Sequence, residues 1–353
     1  MFATPQSAVR EFTTITRLNT VNMREQAVLE DDYNQPVRSV TFSPDSKTLV
    51  ASTLDSLTLW DVARRRKLAH SKMSALHVAY SPTGDTLAVT GREIVFLDTR
   101  TGKLKLTMQG HRDGTTGIAF GMYGRWFASG GMDGLVNIGD LVTRKLVARF
   151  EHEAPVRGLA ISPDGNTLAT LSWGDPQMPR ALTLWDIRTR RRKAELKCGT
   201  EKNLVFSPDG KMLAMDGLIL SVAAVDQLYD LKERLVAFSP DSTLAASCRS
   251  DFNSIGIWDM ATGEQITLLK GHSEGIWSVA FSPDGKWLAS SSGRLDTRAL
   301  LKGDAIASSD NSVRLWGVEL EETKPLRSHT GRLQSLPNRK PDGGTMTRPL
   351  KRL

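Results

Sequence analysis

The 353-residue sequence predicts an all-β protein built from seven copies of one four-stranded unit. The first observation is a tight-turn motif, most complete as "FSPDGKWLASSS" at 281–292, that recurs along the chain. The second is that the apolar runs are short and bounded by turn residues, which is typical of strands. The third is that none of these runs sustains a helical period. Strand–turn–strand repeats are therefore favoured throughout.

The recurring turn marks the copies. Its proline presets φ at the first corner, its aspartate can bond nearby backbone, and its glycine accepts a positive φ. Successive turns lie 32 to 45 residues apart. The marker residues are Ser43, Ser81, Gly121, Ser162, Ser207, Ser239 and Ser282. The third copy, "GMYGRWFASGG", lacks the proline. Seven such copies predict a seven-bladed β-propeller of four-stranded antiparallel blades.

Each copy predicts its four strands in the same order. An apolar strand such as "WSVAF" (277–281) precedes the turn, and a second strand with a Leu-Ala pair follows it. A third strand ends in Trp-Asp at 60–61, 185–186 and 258–259, and in weaker forms elsewhere. A fourth strand, such as the one in "QITLLKGH" (265–272), leads into the next copy.

The pattern "GH…VxSVAFSPDGxxLAS…WD" resembles the WD-repeat family of β-propellers over roughly residues 25–322. The resemblance implies a platform for protein interaction rather than an enzyme. It also implies structural networks that join a histidine, a serine, an aspartate and the tryptophan. The residues concerned are His272, Asp310 and Trp316 in the last copy and His111, Ser129 and Asp133 in the third, where Gly139 replaces the tryptophan. Because blade spacing keeps the histidines apart, we expect no metal site and no cofactor.

Three segments are predicted: an N-terminal extension (1–24), the propeller (25–322) and a basic tail (323–353). Two stretches compete for the outer strand of the last blade, namely 25–32 and 323–328. In the second, Pro325 would remove a ladder donor, although an outermost strand tolerates that. We expect the N-terminal strand to close the ring.

The net charge of +7 is concentrated in the tail. Of 46 basic and 39 acidic residues, eight basic residues and one acidic residue lie at 323–353, which leaves 38 of each in residues 1–322. A neutral body argues against a broad phosphate-binding surface on the ring. The tail is predicted to be disordered and could contact nucleic acid weakly.

Composition also bears on the compartment. The apolar runs are too short to span a membrane, and the N-terminal stretch lacks the apolar core of a secretory signal. Only Cys198 and Cys248 are present, with neither metal-type spacing nor a disulfide framework. These features predict a cytoplasmic protein.

Candidate partner-binding residues lie on one face of the predicted ring, where each first strand begins. The residue five before each turn marker gives the series Arg38, Leu76, Thr116, Arg157, Lys202, Arg234 and Trp277. Its four cations and one tryptophan suit an acidic or phosphorylated peptide, although solvated rim residues balanced by nearby acids would look the same. Trp173 lies in a lengthened hairpin of that face, whereas Trp126 and Trp287 are expected to pack.

The sequence therefore favours a non-catalytic scaffold, a monomeric propeller within a larger complex. One alternative is an RNA- or nucleic-acid-associated factor that binds through the tail. A less favoured one is an enzyme with a site in the central channel, since no nucleophile or phosphate-loop motif is present.

Overall fold

The computed structural model describes residues 21–31, 33, 35–121, 123–174, 180–198, 203–249, 253–293 and 310–320. Every secondary-structure element in these ranges is a β-strand, and every strand pairing is antiparallel. The first fourteen strands are β1 (Val21–Leu29), β2 (Ser39–Phe42), β3 (Thr48–Ser52), β4 (Ser56–Asp61), β5 (Arg66–Lys72), β6 (His77–Tyr80), β7 (Thr86–Thr90), β8 (Glu93–Asp98), β9 (Leu104–Gln109), β10 (Thr115–Phe120), β11 (Trp126–Gly131), β12 (Leu135–Asp140), β13 (Lys145–Glu151) and β14 (Val156–Ile161). The second fourteen are β15 (Thr167–Ser172), β16 (Ala181–Asp186), β17 (Arg192–Lys197), β18 (Leu204–Phe206), β19 (Met212–Met215), β20 (Leu218–Ser221), β21 (Gln227–Asp230), β22 (Arg234–Phe238), β23 (Leu244–Cys248), β24 (Ser254–Asp259), β25 (Gln265–Lys270), β26 (Ile276–Phe281), β27 (Trp287–Ser292) and β28 (Val313–Leu320).

These strands form seven four-stranded sheets, which we number as blades one to seven. Blades one to six are β2–β5, β6–β9, β10–β13, β14–β17, β18–β21 and β22–β25, each in chain order. Blade seven has the order β26–β27–β28–β1. The predicted seven-bladed propeller is confirmed, and apolar clusters between neighbouring blades form its core.

The ring is closed by the N-terminal strand, as predicted. β1 pairs with β28 from Val21 opposite Leu320 to Leu29 opposite Val313. The strand begins at Val21, inside the stretch assigned above to the N-terminal extension, because Val21 and Met23 are buried beside Trp316. The tail at 323–353 lies outside the described residues.

The marker turns are held by one repeated set of hydrogen bonds. In the last copy, the Ser282 hydroxyl donates to Asp284 over 2.6 Å and accepts from the Trp287 amide over 2.9 Å. In two copies a serine replaces the glycine and holds a positive φ, 59° at Ser46 and 61° at Ser242. The Ser46 hydroxyl accepts from the Asp284 amide of the neighbouring blade over 3.0 Å. Inter-blade hydrogen bonds of this kind offset the cost of the left-handed backbone.

We expect blade five to exchange its amide hydrogens fastest. Its strands have only three or four residues, against six in β26 and β27, so fewer ladder bonds resist local opening. Hydrogen–deuterium exchange should be faster at 216–234 than at 276–290. Equal protection of the two stretches would contradict this expectation.

Candidate partner-binding mouth of the ring

The first strands of all seven blades begin on the same face of the ring, around the central channel. A cavity of about 1090 Å³ opens there, and we call its opening the mouth. Six positions of the predicted series line this cavity, namely Arg38, Leu76, Thr116, Arg157, Arg234 and Trp277. The seventh, Lys202, lies outside the described residues. The opposite face, which carries the marker turns, is the turn face.

Two of the predicted residues form a stacked pair across the junction of blades one and seven. The Arg38 guanidinium carbon lies 4.9 Å from the centroid of the Trp277 ring, within the range of a cation–π contact. The indole is fixed in turn, since its Nε1 donates to the Gly293 carbonyl over 2.8 Å. The Arg38 Nε is buried without a hydrogen bond to a described residue. Burial also lowers the pKa of Arg38.

A second stack lies on blade four. The Arg157 guanidinium carbon lies 3.8 Å from the centroid of the Trp173 ring, and that of Arg180 lies 5.9 Å from it. The Trp173 side chain stays 42% exposed, so the cation does not bury the indole. The Arg157 Nε, like that of Arg38, is buried without a hydrogen bond among the described residues, and burial lowers the pKa of this arginine. Arg157 and Trp173 meet because β14 pairs with β15, with Val156 opposite Ser172.

The lining of the mouth is mixed in charge. Arg234 is exposed at the start of β22. The lining also contains three acids, Asp113, Asp216 and Glu274. Asp216 accepts from the amide and the side chain of Asn203, over 3.3 and 3.0 Å. Among the described residues, positive and negative side chains thus alternate around the opening, so the mouth does not have a uniformly positive electrostatic potential.

His77 lines the cavity beside Arg38 and was not among the predicted residues. Although the residue is exposed to the channel, desolvation by the surrounding walls and the charge of Arg38 together lower its pKa to about 4. His77 is therefore neutral near pH 7 and offers one donor and one acceptor to a bound segment. A signal for it existed in its position, one residue after Leu76 of the predicted series.

The network expected in blade seven is present as a continuous chain of contacts. His272 Nδ1 lies 3.0 Å from Asp310 Oδ2, and His272 Nε2 lies 2.7 Å from Ser290 Oγ. Trp316 Nε1 donates to the same Ser290 hydroxyl over 2.9 Å. The geometry places the imidazole proton on Nδ1, toward the carboxylate. All four side chains are buried, so this network joins two strands and two loops and is closed to partners.

Blade three has the same arrangement without the tryptophan. His111 Nδ1 lies 2.9 Å from Asp133 Oδ1, and His111 Nε2 lies 3.0 Å from Ser129 Oγ. A Cβ at Gly139, where the tryptophan would be, would lie 2.3 Å from the Phe127 ring. Phe127 therefore fills the space that the tryptophan fills elsewhere.

Two other blades replace the histidine with a residue that the sequence did not reveal. In blade six, Trp258 Nε1 donates to Ser247 Oγ over 2.7 Å, and that hydroxyl bonds the Glu233 carboxylate. In blade one, Trp60 Nε1 donates to the hydroxyl of Tyr33 over 3.0 Å. Burial raises the pKa of Tyr33 to about 12. The loop lengths before these blades differ, so spacing along the sequence did not identify either residue.

Trp287 packs against the core between blades one and seven, as expected. The expectation for Trp126 is wrong, because its side chain is 45% exposed. Among the described residues, no group of three His, Cys, Asp or Glu side chains could hold a metal ion. Every described element is a strand, and the described residues contain no helix long and apolar enough to cross a membrane.

Comparison with known proteins identifies the repeats. The family described as "WD domain, G-beta repeat" matches residues 24–61, 102–140, 144–175 and 263–317. The periodic tryptophan protein 2 homolog of Dictyostelium discoideum is 25% identical over 308 residues, covering 83% of this chain and 28% of that protein. The target of rapamycin complex subunit wat1 of Schizosaccharomyces pombe is 26% identical over 249 residues, covering 62% and 77%. The anaphase-promoting complex subunit cdc20 of D. discoideum is 25% identical over 309 residues, covering 85% and 52%.

The chain spans less than two thirds of the length of the first and third of these relatives. The matched repeats include strands of blades one, three, four and seven. Propellers built from such repeats are typically scaffolds for protein interaction. Its repeats, its seven blades and these relatives show that the chain belongs to the WD-repeat family of β-propellers.

Proposed function

We propose that the chain is a non-catalytic scaffold whose mouth binds an acidic or phosphorylated segment of a partner protein. The observation that carries this proposal is the pair of arginines, Arg38 and Arg157, each stacked on an indole at the rim of one cavity. Arg234 adds a third, exposed guanidinium to the same opening.

Stacking prepares a guanidinium for recognition. An arginine held against an indole has lost part of its rotamer freedom before it binds, so less entropy is lost on binding. Its planar fork of N–H donors matches a carboxylate or a phosphate with two parallel hydrogen bonds. Burial makes hydration of the Arg38 and Arg157 guanidiniums incomplete, and an anion would supply the missing partner.

The charges of the mouth favour a peptide over a nucleic acid. A polyanion requires a continuous positive track, whereas Asp113, Asp216 and Glu274 interrupt the arginines here. A peptide segment can place an acidic side chain at each arginine and a polar group beside each acid. The basic residues of the tail remain the basis for the second candidate, weak nucleic-acid contact through 323–353.

Two of the relatives are named as subunits of complexes, a target of rapamycin complex and an anaphase-promoting complex. This supports a role for the present chain as one propeller within a larger assembly. A closed ring suits that role, because its loops are held in place before the partner arrives.

Reversing the charge of two mouth arginines should release the partner. We expect Arg157→Glu with Arg234→Glu to reduce partner recovery at least about tenfold, because each substitution places a repelling carboxylate where an anion binds. The measurement is quantitative mass spectrometry of proteins captured by the tagged chain from native lysate.

The matched control is Arg66→Glu with Arg191→Glu, which makes the same charge change on exposed arginines of the turn face. Recovery should remain at the wild-type level with this control. If every captured protein stayed bound to the mouth variant, the mouth would not be the binding site.

A further inference from the structure

Blade three exposes a cluster of large apolar side chains on the side of the ring away from the mouth. Nine large hydrophobic residues are exposed in the part of the chain that the structure describes, and five belong to blade three. They are Tyr123 (77%), Trp126 (45%), Val142 (72%), Leu146 (48%) and Val147 (38%). We call these five residues the blade-three surface. Concentration of exposed apolar residues in one place is typical of interaction sites.

Chain topology places these residues at one end of the blade. Tyr123 lies in the turn between β10 and β11, and Val142 lies in the turn between β12 and β13. Both turns open on the turn face. Trp126 is the first residue of β11, and Leu146 and Val147 follow at the start of the outer strand β13. The surface therefore combines two hairpin tips with the beginning of an exposed strand.

At the places of Tyr123 and Val142, the other copies carry small or polar residues. The Gly121 amide donates to the Trp126 carbonyl as the Ser43 amide donates to the Thr48 carbonyl, which aligns the two turns. At the place of Tyr123, five copies have aspartate: Asp45, Asp164, Asp209, Asp241 and Asp284. At the place of Trp126, three have threonine and three have large apolar residues: Thr48, Thr86 and Thr167, and Met212, Leu244 and Trp287. At the place of Val142, three have alanine: Ala63, Ala223 and Ala261.

The turn does not need these apolar residues in order to fold. The other copies form the same turn with a serine–aspartate hydrogen bond, as between Ser43 and Asp45 over 2.6 Å. Trp126 is not needed to fill the core, because its side chain is 45% exposed. Replacing a polar turn residue with an exposed tyrosine leaves apolar area in water, and contact with a partner would remove that area from water.

The accessible charge around the surface is positive. Arg144 and Lys145 lie between Val142 and Leu146, are exposed, and have no ion pair with a described residue. The carboxylate within the blade, Asp140, is buried and bonded to Arg125 over 2.9 Å. From blade four, Arg190 reaches over and donates to the Val147 carbonyl over 2.8 Å.

The structure assigns to the blade-three surface an acidic, apolar segment of a partner protein. Apolar side chains of that segment would cover Tyr123, Trp126 and Val142, and its carboxylates would pair with Arg144 and Lys145. The chain's own tail does not fit, since 323–353 carries eight basic residues and one acid. A second copy does not fit either, because a twofold contact would bring the same cations together.

This surface is separate from the mouth and lies on the opposite face. A propeller that holds one segment in its mouth and another at the tip of blade three brings two partners together on a rigid body. Scaffolding would then rest on two distinct surfaces with different side-chain chemistry, stacked arginines at one and aromatic and aliphatic residues at the other.

The test uses the full chain and a random dodecapeptide library displayed on phage. Enriched peptides are synthesised with a fluorophore, and their affinity is measured by fluorescence anisotropy. The variant Tyr123→Asp/Trp126→Thr/Val142→Ala introduces at each position a residue that other blades carry there, so we expect it to keep its fold. Leu104→Ser, which removes an exposed leucine from blade two, is the matched control.

We expect a class of peptides that combines Asp or Glu with aromatic or aliphatic residues. These peptides should bind the triple variant at least about tenfold more weakly, bind the Leu104→Ser chain normally, and weaken as salt is raised. Arg157→Glu with Arg234→Glu should not affect them, which separates this surface from the mouth. The inference is overturned if enrichment is the same on the wild type and the triple variant, including none on either. Peptides without acidic excess, or a dimer that the triple variant abolishes in sedimentation, would also overturn it.

Discussion

Removal of residues 1–30 is expected to abolish cooperative folding of the ring. The deletion takes away β1, the outer strand of blade seven, and with it the buried side chains of Val21, Met23 and Leu29. Burial of each such side chain contributes roughly 1.5–3 kcal/mol. Their combined loss is comparable to the whole stability of an ordinary domain, about 5–15 kcal/mol. The deletion also exposes the edge of β28, an unpaired strand that can associate with other chains.

The measurement is thermal unfolding followed by circular dichroism and by light scattering. A chain that lacks only residues 1–18, and so keeps β1, should melt as the full chain does. The shorter chain should show no cooperative transition or should aggregate. If it melted within about 2 °C of the full chain, a shift worth roughly 1 kcal/mol or less, closure by β1 would not stabilise the ring.

Replacing Asp310 with alanine should cost about 3 kcal/mol of unfolding free energy. One carboxylate oxygen accepts from His272 Nδ1 over 3.0 Å and from the Ser273 amide over 2.8 Å, and the other bonds the Ser312 hydroxyl. Without it, the buried donors of His272 and Ser312 lose their partner, and each unsatisfied buried donor costs about 1–3 kcal/mol. Urea unfolding measures the loss, and Asp113→Asn at an exposed loop is the control.

The difference between wild type and Asp310→Ala should depend on pH. Burial alone would raise the pKa of Asp310, but hydrogen bonds from His272 and Ser312 outweigh it and hold the pKa well below the ordinary value. A lowered pKa in the folded state stabilises the protein above the unfolded pKa of about 4, and that contribution is lost as the pH falls further. The difference should therefore be full at pH 6 and shrink below about pH 4. A difference that stayed constant down to pH 2.5 would show that the carboxylate charge plays no part.

The repeat itself could be predicted from the sequence, because turn chemistry and strand order are local properties. The marker residues from Ser43 to Ser282 located all seven first hairpins. For the closing strand, Pro325 was the one residue that argued against the C-terminal candidate at 323–328. The blade-seven network of His272, Asp310 and Trp316 was expected from the family resemblance. Ser290, which joins His272 to Trp316, emerged only from the structure.

Contacts between blades could not be predicted in this way. Arg38 and Trp277 are far apart in the sequence and meet because the first and last blades are neighbours in a closed ring. Glu233 and Tyr33 replace histidine at the ends of loops whose length differs from copy to copy. Blade three departs from the repeat at Tyr123. Only the structure shows that Tyr123, Trp126 and Val142 are all exposed at the same end of the blade and so form one surface.

Affinity capture of the tagged chain from native lysate, with and without nuclease, tests most directly whether the propeller or the tail binds. It is performed with the full chain and with a chain that ends at Glu322. A scaffold that binds through the ring predicts the same set of proteins from both chains, retained after nuclease. Nucleic acid that is recovered with the full chain and lost with the tail, with no protein left bound to the ring, would contradict it.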